Sequence, residues 1–173
     1  MKISVHLIPI PPPQLASTCS LTDRLFHYTT VLKLKQIINS GVIKPSTVGI
    51  EPTEKPVVWC STSLTWEPTA TKCPAPGKPG QLITANAQGG LARIKVPATC
   101  APHDVRQLHE LANTSISTCL GLLYGGLELG SDPDTWRFSL DAIPSVLFQS
   151  VELFDFQRDA WRETDLAELA CRN

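Results

Sequence analysis

Hydrophobic positions along this chain alternate between two periods. After Arg24, the run Leu25, Phe26, His27, Tyr28 is apolar and aromatic, as a short strand should be. Val31, Leu34, Ile37 and Ile38 then recur at helical spacing. Thr29 and Thr30 are N-cap candidates, and Gly41 stands where a left-handed residue closes a helix, so the pattern predicts an amphipathic helix over 30–40. Val42 and Ile43 continue in extended form. Val57 to Ser61 is a second strand, β-branched and aromatic between Pro56 and a Ser/Thr cluster. Leu91 to Val96 alternates apolar and charged residues, the pattern of a half-exposed strand. Asp104 is placed to cap a helix from Val105 to Thr114 that continues weakly to Leu123, before Gly125, Gly126 and the Gly130 to Pro133 stretch interrupt the chain. Trp136 to Leu140 and Gln149 to Phe156 read as two further strands, separated by a turn at 142–144, and Thr164 to Ala170 as a short final helix. The Pro- and Gly-rich stretch 73–80 reads as a loop.

Strands and helices do not alternate regularly in this order, which disfavours a doubly wound parallel sheet. The expectation is an α+β fold, a single domain over 1–173 with a mixed or antiparallel split β-sheet and flanking helices. Residues 1–20 would form an N-terminal edge strand, Ile3 to Ile10, and a stiff connector crowded by Pro9, Pro11, Pro12 and Pro13.

Composition narrows this only a little. At 42% hydrophobic and 18% charged residues the chain is neither disordered nor fibrous in character. A formal net charge of −1 argues against a broad basic footprint for nucleic acid. No apolar run approaches the roughly 18 residues of a membrane span. The prolines cut the Ile3 to Ile10 stretch short of a signal-peptide core, so the expectation is a cytoplasmic protein without a membrane partner. Six cysteines at 19, 60, 73, 100, 119 and 171 form no CxxC or CxxH pair, so no metal site is expected and the thiols read as small buried hydrophobes.

Three strands carry polar residues that could do chemistry. The first ends in His27, Tyr28 and Thr29; the second in Ser61, Thr62 and Ser63, followed by Trp66 and Glu67; the third holds Glu152 within Val151, Leu153 and Phe154. A carboxylate among apolar neighbours either faces solvent by simple alternation or faces a cleft, because burying it unpaired is expensive. The stretch Trp66 to Lys72 is either a helical turn whose Lys72 meets phosphates or a capped surface turn, and the surface turn is slightly favoured. Arg137 would serve an anion or cover apolar surface with its stem.

In order and spacing, these three segments resemble the ADP-ribosyltransferase fold, whose sheet carries in succession a His or Arg strand, a strand with Ser-Thr-Ser or Tyr, and a strand with a catalytic Glu. Leu25 to Thr29 with its helix looks like the diphtheria-toxin and rifampicin-modifying branches, and Val57 to Ser63 like the cholera-toxin branch. The resemblance spans most of residues 24–156. It implies an ADP-ribosyltransferase-like fold and a transferase of toxin, effector or phage type. Such an enzyme would take NAD as substrate and pass ADP-ribose to an unidentified protein or nucleic-acid acceptor. It further implies that Glu152 stabilises the oxocarbenium-like transition state, that His27 binds the adenosine-side ribose and Thr29 helps place the cofactor, and that Ser61, at the head of the Ser61-Thr62-Ser63 segment, orients Glu152. The ring of Tyr28, Trp59 or Trp66 would stack on nicotinamide. Two departures stand out. Ser150 occupies the place where arginine-modifying members carry Glu or Gln, and Trp59 stands nearest to where a second-strand Tyr is expected.

Two other classes compete. Cys60 with His27, His103 or His109 would make a thiol enzyme, but if Ser61 faces a cleft then strand alternation turns Cys60 away from it. A non-catalytic module that binds a nucleotide, a nucleic acid or a host protein is the stronger rival, since fold does not dictate function.

Overall fold

A computed structural model describes residues 24–71 and 78–165. The expected N-terminal strand and proline connector, Lys72, the cysteines at 19, 73 and 171, and residues 166–170 of the expected final helix lie outside the described residues. Thr164 and Asp165, where that helix was to begin, are not helical.

The strands are β1 (Leu25–Thr30), β2 (Val42–Ile43), β3 (Val58–Ser61), β4 (Leu91–Val96), β5 (His103–Asp104), β6 (Trp136–Ser139), β7 (Ile143–Pro144), β8 (Ser150–Asp155) and β9 (Ala160–Glu163). The helices are α1 (Val31–Ser40), α2 (Lys78–Gln88), α3 (Leu108–Ala112) and α4 (Ile116–Glu128). Seven strands make one sheet in the order β5-β6-β3-β1-β4-β8-β9, and β2 pairs with β7 in a second, two-stranded sheet. Every pairing is antiparallel. The α+β class expected from the sequence is therefore present, in its antiparallel form.

Local signals are met closely at α1. Thr30 caps its start by accepting from the Lys33 amide, and Gly41, at φ 70°, closes its end with its N–H directed to the Ile37 and Ile38 carbonyls. That positive φ is accessible to glycine at little cost. Leu34 is the helix's fully buried residue and packs with Leu25, Ile43, Val58, Ile94 and Val96. Burying one such side chain contributes about 1.5–3 kcal/mol.

Elsewhere long-range packing overrides the local pattern. β4 has the expected bounds but is not half-exposed: it lies between β1 and β8, and even Arg93 is buried. The expected helix after Asp104 divides. A 3-10 turn and α3 end at Asn113, which adopts a left-handed φ of 57°, and Ser115 caps a separate helix by accepting from Thr118. That helix, α4, runs through Gly125 and Gly126, where a break was expected. Gly126 is required there by close approach, since a Cβ would overlap the Trp136 indole. Part of the expected 73–80 loop belongs to α2, and β9 was not foreseen.

The sheet is tight on one side of β1 and parted on the other. The β1–β4 ladder runs unbroken from Leu25 opposite Val96 to Thr30 opposite Leu91. Between β1 and β3 the ladder is confined to Phe26 opposite Ser61. Beyond that pair the strands separate, and the His27 ring bridges the opening, its Nδ1–H donating to the Trp59 carbonyl at 2.8 Å. Among the described residues no helix is long and apolar enough to cross a membrane.

Candidate functional site

The parting of β1 and β3 opens into a cavity of about 480 Å³. Its walls come from β1 (His27, Tyr28), β3 (Trp59, Ser61), the 3-10 turn that starts after Glu67, and one side of α4. This volume lies within the range of small-molecule sites, which are mostly apolar with a few placed polar groups.

The polar groups are held from behind. Ser61 is fully buried; its hydroxyl donates to Thr135 Oγ1 at 3.0 Å and accepts from the Ser63 amide at 3.1 Å. Tyr28 donates to the Ser63 carbonyl at 2.5 Å and accepts from Arg93 Nη1 at 3.3 Å. Burial pushes the Tyr28 phenol up to about 12, against the lowering effect of Arg93, so it stays protonated and donating at neutral pH. The Trp59 ring meets Trp136 edge-on at 6.1 Å. Lys44 lines the cavity from the loop after β2, and no acid among the described residues pairs with it.

The cavity's carboxylate is Glu67, only 6% exposed. It caps the 3-10 turn Pro68–Ala70, and its Oε1 accepts from the Thr69 amide at 3.3 Å, from the Thr69 hydroxyl at 2.9 Å and from the Ser131 hydroxyl. Ser131 in turn accepts from Trp136 Nε1 at 2.9 Å. Oε2 has no partner among the described residues. Sequence reasoning passed over this role because a Glu-Pro pair opening a polar stretch reads as a surface turn; the available signal was the N-cap geometry of Glu67, Pro68 and Thr69. The turn is present, but its capping side chain points inward.

Glu152 is elsewhere. Along β1 successive side chains leave on opposite faces. Tyr28 stands opposite Arg93 and Arg93 opposite Glu152, so these three share one face; His27 leaves β1 on the other, and the cavity between the parted strands is bordered by both. Arg93 Nε and Nη2 both donate to Glu152 Oε2, at 2.8 and 2.6 Å, and Ser150 donates to Oε1 at 3.3 Å. The guanidinium lies between the rings of Phe26 and Trp161, 4.1 and 4.5 Å from their centroids, and also donates to the Leu64 carbonyl at 2.6 Å. Glu152 does not line the cavity.

Of the residues singled out in the sequence, His27, Tyr28, Trp59 and Ser61 thus line one cavity. Thr29 is buried beside the main core, opposite Ala92. Thr62 bonds the Thr135 carbonyl through both its amide and its hydroxyl, and Ser63 holds Tyr28 and Thr65. Trp66 is core, edge-on to Tyr28 and stacked at 6.2 Å on Trp161, with its Nε1 donating to Thr71. Lys72 lies outside the described residues. Arg137 donates to the Asp134 and Trp136 carbonyls. Cys60 borders the cavity, but its thiol is buried and pushed up to about 12 by that burial, so it is no nucleophile at neutral pH. His103 packs on Phe138 and His109 bonds the Thr114 carbonyl, both away from the cavity wall. Among the described residues no group of His, Cys, Asp and Glu is placed to hold a metal ion.

Comparison with known proteins finds no matching family model, no similar curated protein and no similar solved structure.

Proposed function

We propose that this protein binds NAD in the β1–β3 cavity and transfers its ADP-ribose to an acceptor, a protein or nucleic acid. The observation that carries this reading is that His27, Tyr28, Trp59 and Ser61, chosen from two separate strands, line one cavity. Trp59 offers a ring for stacking and Lys44 offers a cation to a phosphate, while His27 and Ser61 border the same space. In the reaction the bond between nicotinamide and ribose C1′ breaks. Its electron pair discharges the ring nitrogen, and the positive charge passes to C1′ and the ring oxygen of ribose. An acceptor oxygen or nitrogen then bonds C1′ and releases its proton to solvent. The resemblance nominates Glu152 to stabilise that cation, and position nominates Glu67.

The test is incubation of the protein with NAD, with free nicotinamide measured against a no-protein control and NAD binding measured by calorimetry. Release of nicotinamide, with binding weakened at least tenfold by His27→Ala, supports the reading. Neither release nor binding would sink it. A second reading, a binding module on the same scaffold, is favoured by the pairing of Glu152 with Arg93, which leaves that carboxylate's charge already compensated; binding of NAD without release would select it.

A further inference from the structure

Two features of the cavity remain without a structural reason. The first is Glu67. A buried carboxylate needs partners for both oxygens or a nearby cation. Here three hydrogen bonds converge on Oε1, and none among the described residues reaches Oε2. No Lys, Arg or His among the described residues forms an ion pair with it. The arrangement fixes the side chain of this cavity-lining residue through one oxygen and neutral donors, whereas Glu152 is neutralised by two charge-assisted bonds to one guanidinium.

The second feature is the α4 wall. Glycine inside a helix is unfavourable relative to alanine, yet α4 carries three. Gly126 is explained by Trp136. At Gly121 and Gly125 a Cβ would meet nothing within 4 Å among the described residues, and both residues line the cavity. They stand one helical turn apart on the same side, so the helix presents bare backbone to the space that Glu67 borders. Packing among the described residues does not demand glycine there, and the room left is open to a bound molecule.

We propose that Glu67, not Glu152, supplies the negative charge that faces ribose C1′ as the nicotinamide bond breaks, with the Gly121–Gly125 wall of α4 seating the ligand in the cavity. This assignment rests on the NAD reading and names the catalytic residue of that site. The bond that breaks is C1′–N, its electron pair goes to the nicotinamide nitrogen, and Glu67 forms no bond and transfers no proton in the step. Water serves as the acceptor in the simplest assay and loses one proton to buffer. Preorganised charge of this kind is typically worth about 10²–10³ in rate.

The experiment compares steady-state nicotinamide release by the full chain and by Glu67→Gln, Glu152→Gln and Gly125→Leu, with a thermal melt of each. In Glu67→Gln the amide oxygen can still accept from Thr69 and Ser131, so the turn is kept while the charge is lost. The expected result is a fall in kcat of about 10²–10³-fold with KM changed by less than about threefold. Glu152→Gln is expected to keep kcat within about tenfold. Gly125→Leu, which leaves Glu67 untouched and whose Cβ meets nothing within 4 Å among the described residues, is expected to raise KM by at least tenfold. Wild-type kinetics in Glu67→Gln, or loss of kcat in Glu152→Gln alone, would overturn the Glu67 assignment and leave the NAD reading standing. Should Glu67→Gln fail to fold, unchanged kinetics in Gly125→Leu overturns the cavity as the reacting site. A wild-type protein that neither binds nor cleaves NAD removes the NAD reading itself, and the assignment with it.

Discussion

The two sides of β1 treat a carboxylate in opposite ways. On the β4–β8 side the ladders are continuous, and Glu152 sits opposite Arg93 in a row that also includes Tyr28. The guanidinium donates to Glu152, Tyr28 and the Leu64 carbonyl while lying between two aromatic rings. On the β3 side the ladder is cut to one register pair, and Glu67 is held by an amide and two hydroxyls at one oxygen only. A closed ladder brings a complementary charge into register and satisfies the acid. A parted ladder leaves space, and the acid beside that space is anchored but not neutralised. The two carboxylates therefore differ in the charge of their partners, a guanidinium for Glu152 and neutral donors for Glu67.

This contrast can be broken by mutation, beginning with the closed side. Arg93→Ala leaves the half-buried Glu152 without its counter-ion and should destabilise the fold by about 3 kcal/mol, the lower end for a fully buried pair, read from urea unfolding. The double variant Arg93→Met, Glu152→Leu should recover most of that loss, because apolar residues of similar volume remove both desolvation penalties. If Arg93→Ala melts like wild type, the pair is not the anchor described here.

Next in size is an alkaline effect at the sheet centre. Cys60 ionises ordinarily near 9.0 and is pushed up to about 12 by burial; Tyr28 moves from 10.0 to about 12 by burial. Both folded-state values are raised, so the contribution is fully present below the unfolded values. Above pH 9 the unfolded chain ionises while the fold keeps the groups protonated, and stability should fall steadily toward pH 12. Cys60→Ala should flatten the first part of that fall, as followed by urea midpoints from pH 7 to 11. A profile identical in the two proteins would show that Cys60 is not the group responsible.

Smaller effects separate two of the three glycines of α4. Gly126→Ala drives a methyl into the Trp136 ring and should cost about 1–3 kcal/mol, visible as a lowered Tm. Gly125→Ala, one residue away, should raise stability by about 0.5–1 kcal/mol through helix propensity, since its Cβ enters open space. Opposite signs at adjacent positions would sharpen the view that one glycine serves packing and the other serves the cavity. Equal signs would dissolve it.

Legibility in the sequence followed the range of the interaction. α1 was readable to within one residue because its cap, its apolar stripe and Gly41 are all local signals. β3 was readable from β-branched and aromatic residues. Leu91 to Val96 was readable as a strand but misjudged in exposure: its alternating charges suggest a solvent face, whereas Arg93 is buried by finding Glu152 at a distance of 59 residues along the chain. Gly125 and Gly126 looked like a break because propensity sees no tertiary contact; the Trp136 ring, which arrives from β6, makes Gly126 the residue that fits there. In the site, His27, Tyr28, Trp59 and Ser61 were legible as polar and aromatic residues at strand ends, while Thr29, Thr62, Ser63 and Trp66 have structural partners that only register reveals.

By itself the sequence determined the α+β character, the strand and helix around His27, and a short set of residues able to line a site, since these depend on periodicity, caps and turn chemistry within a few positions of one another. Only the tertiary structure decided which side of β1 closes and which opens, because that depends on whether the strand arriving alongside extends its ladder or departs after one pair. The same choice decided which carboxylate meets a counter-ion. Glu152 is drawn into register with Arg93, and Glu67 is left facing the cavity.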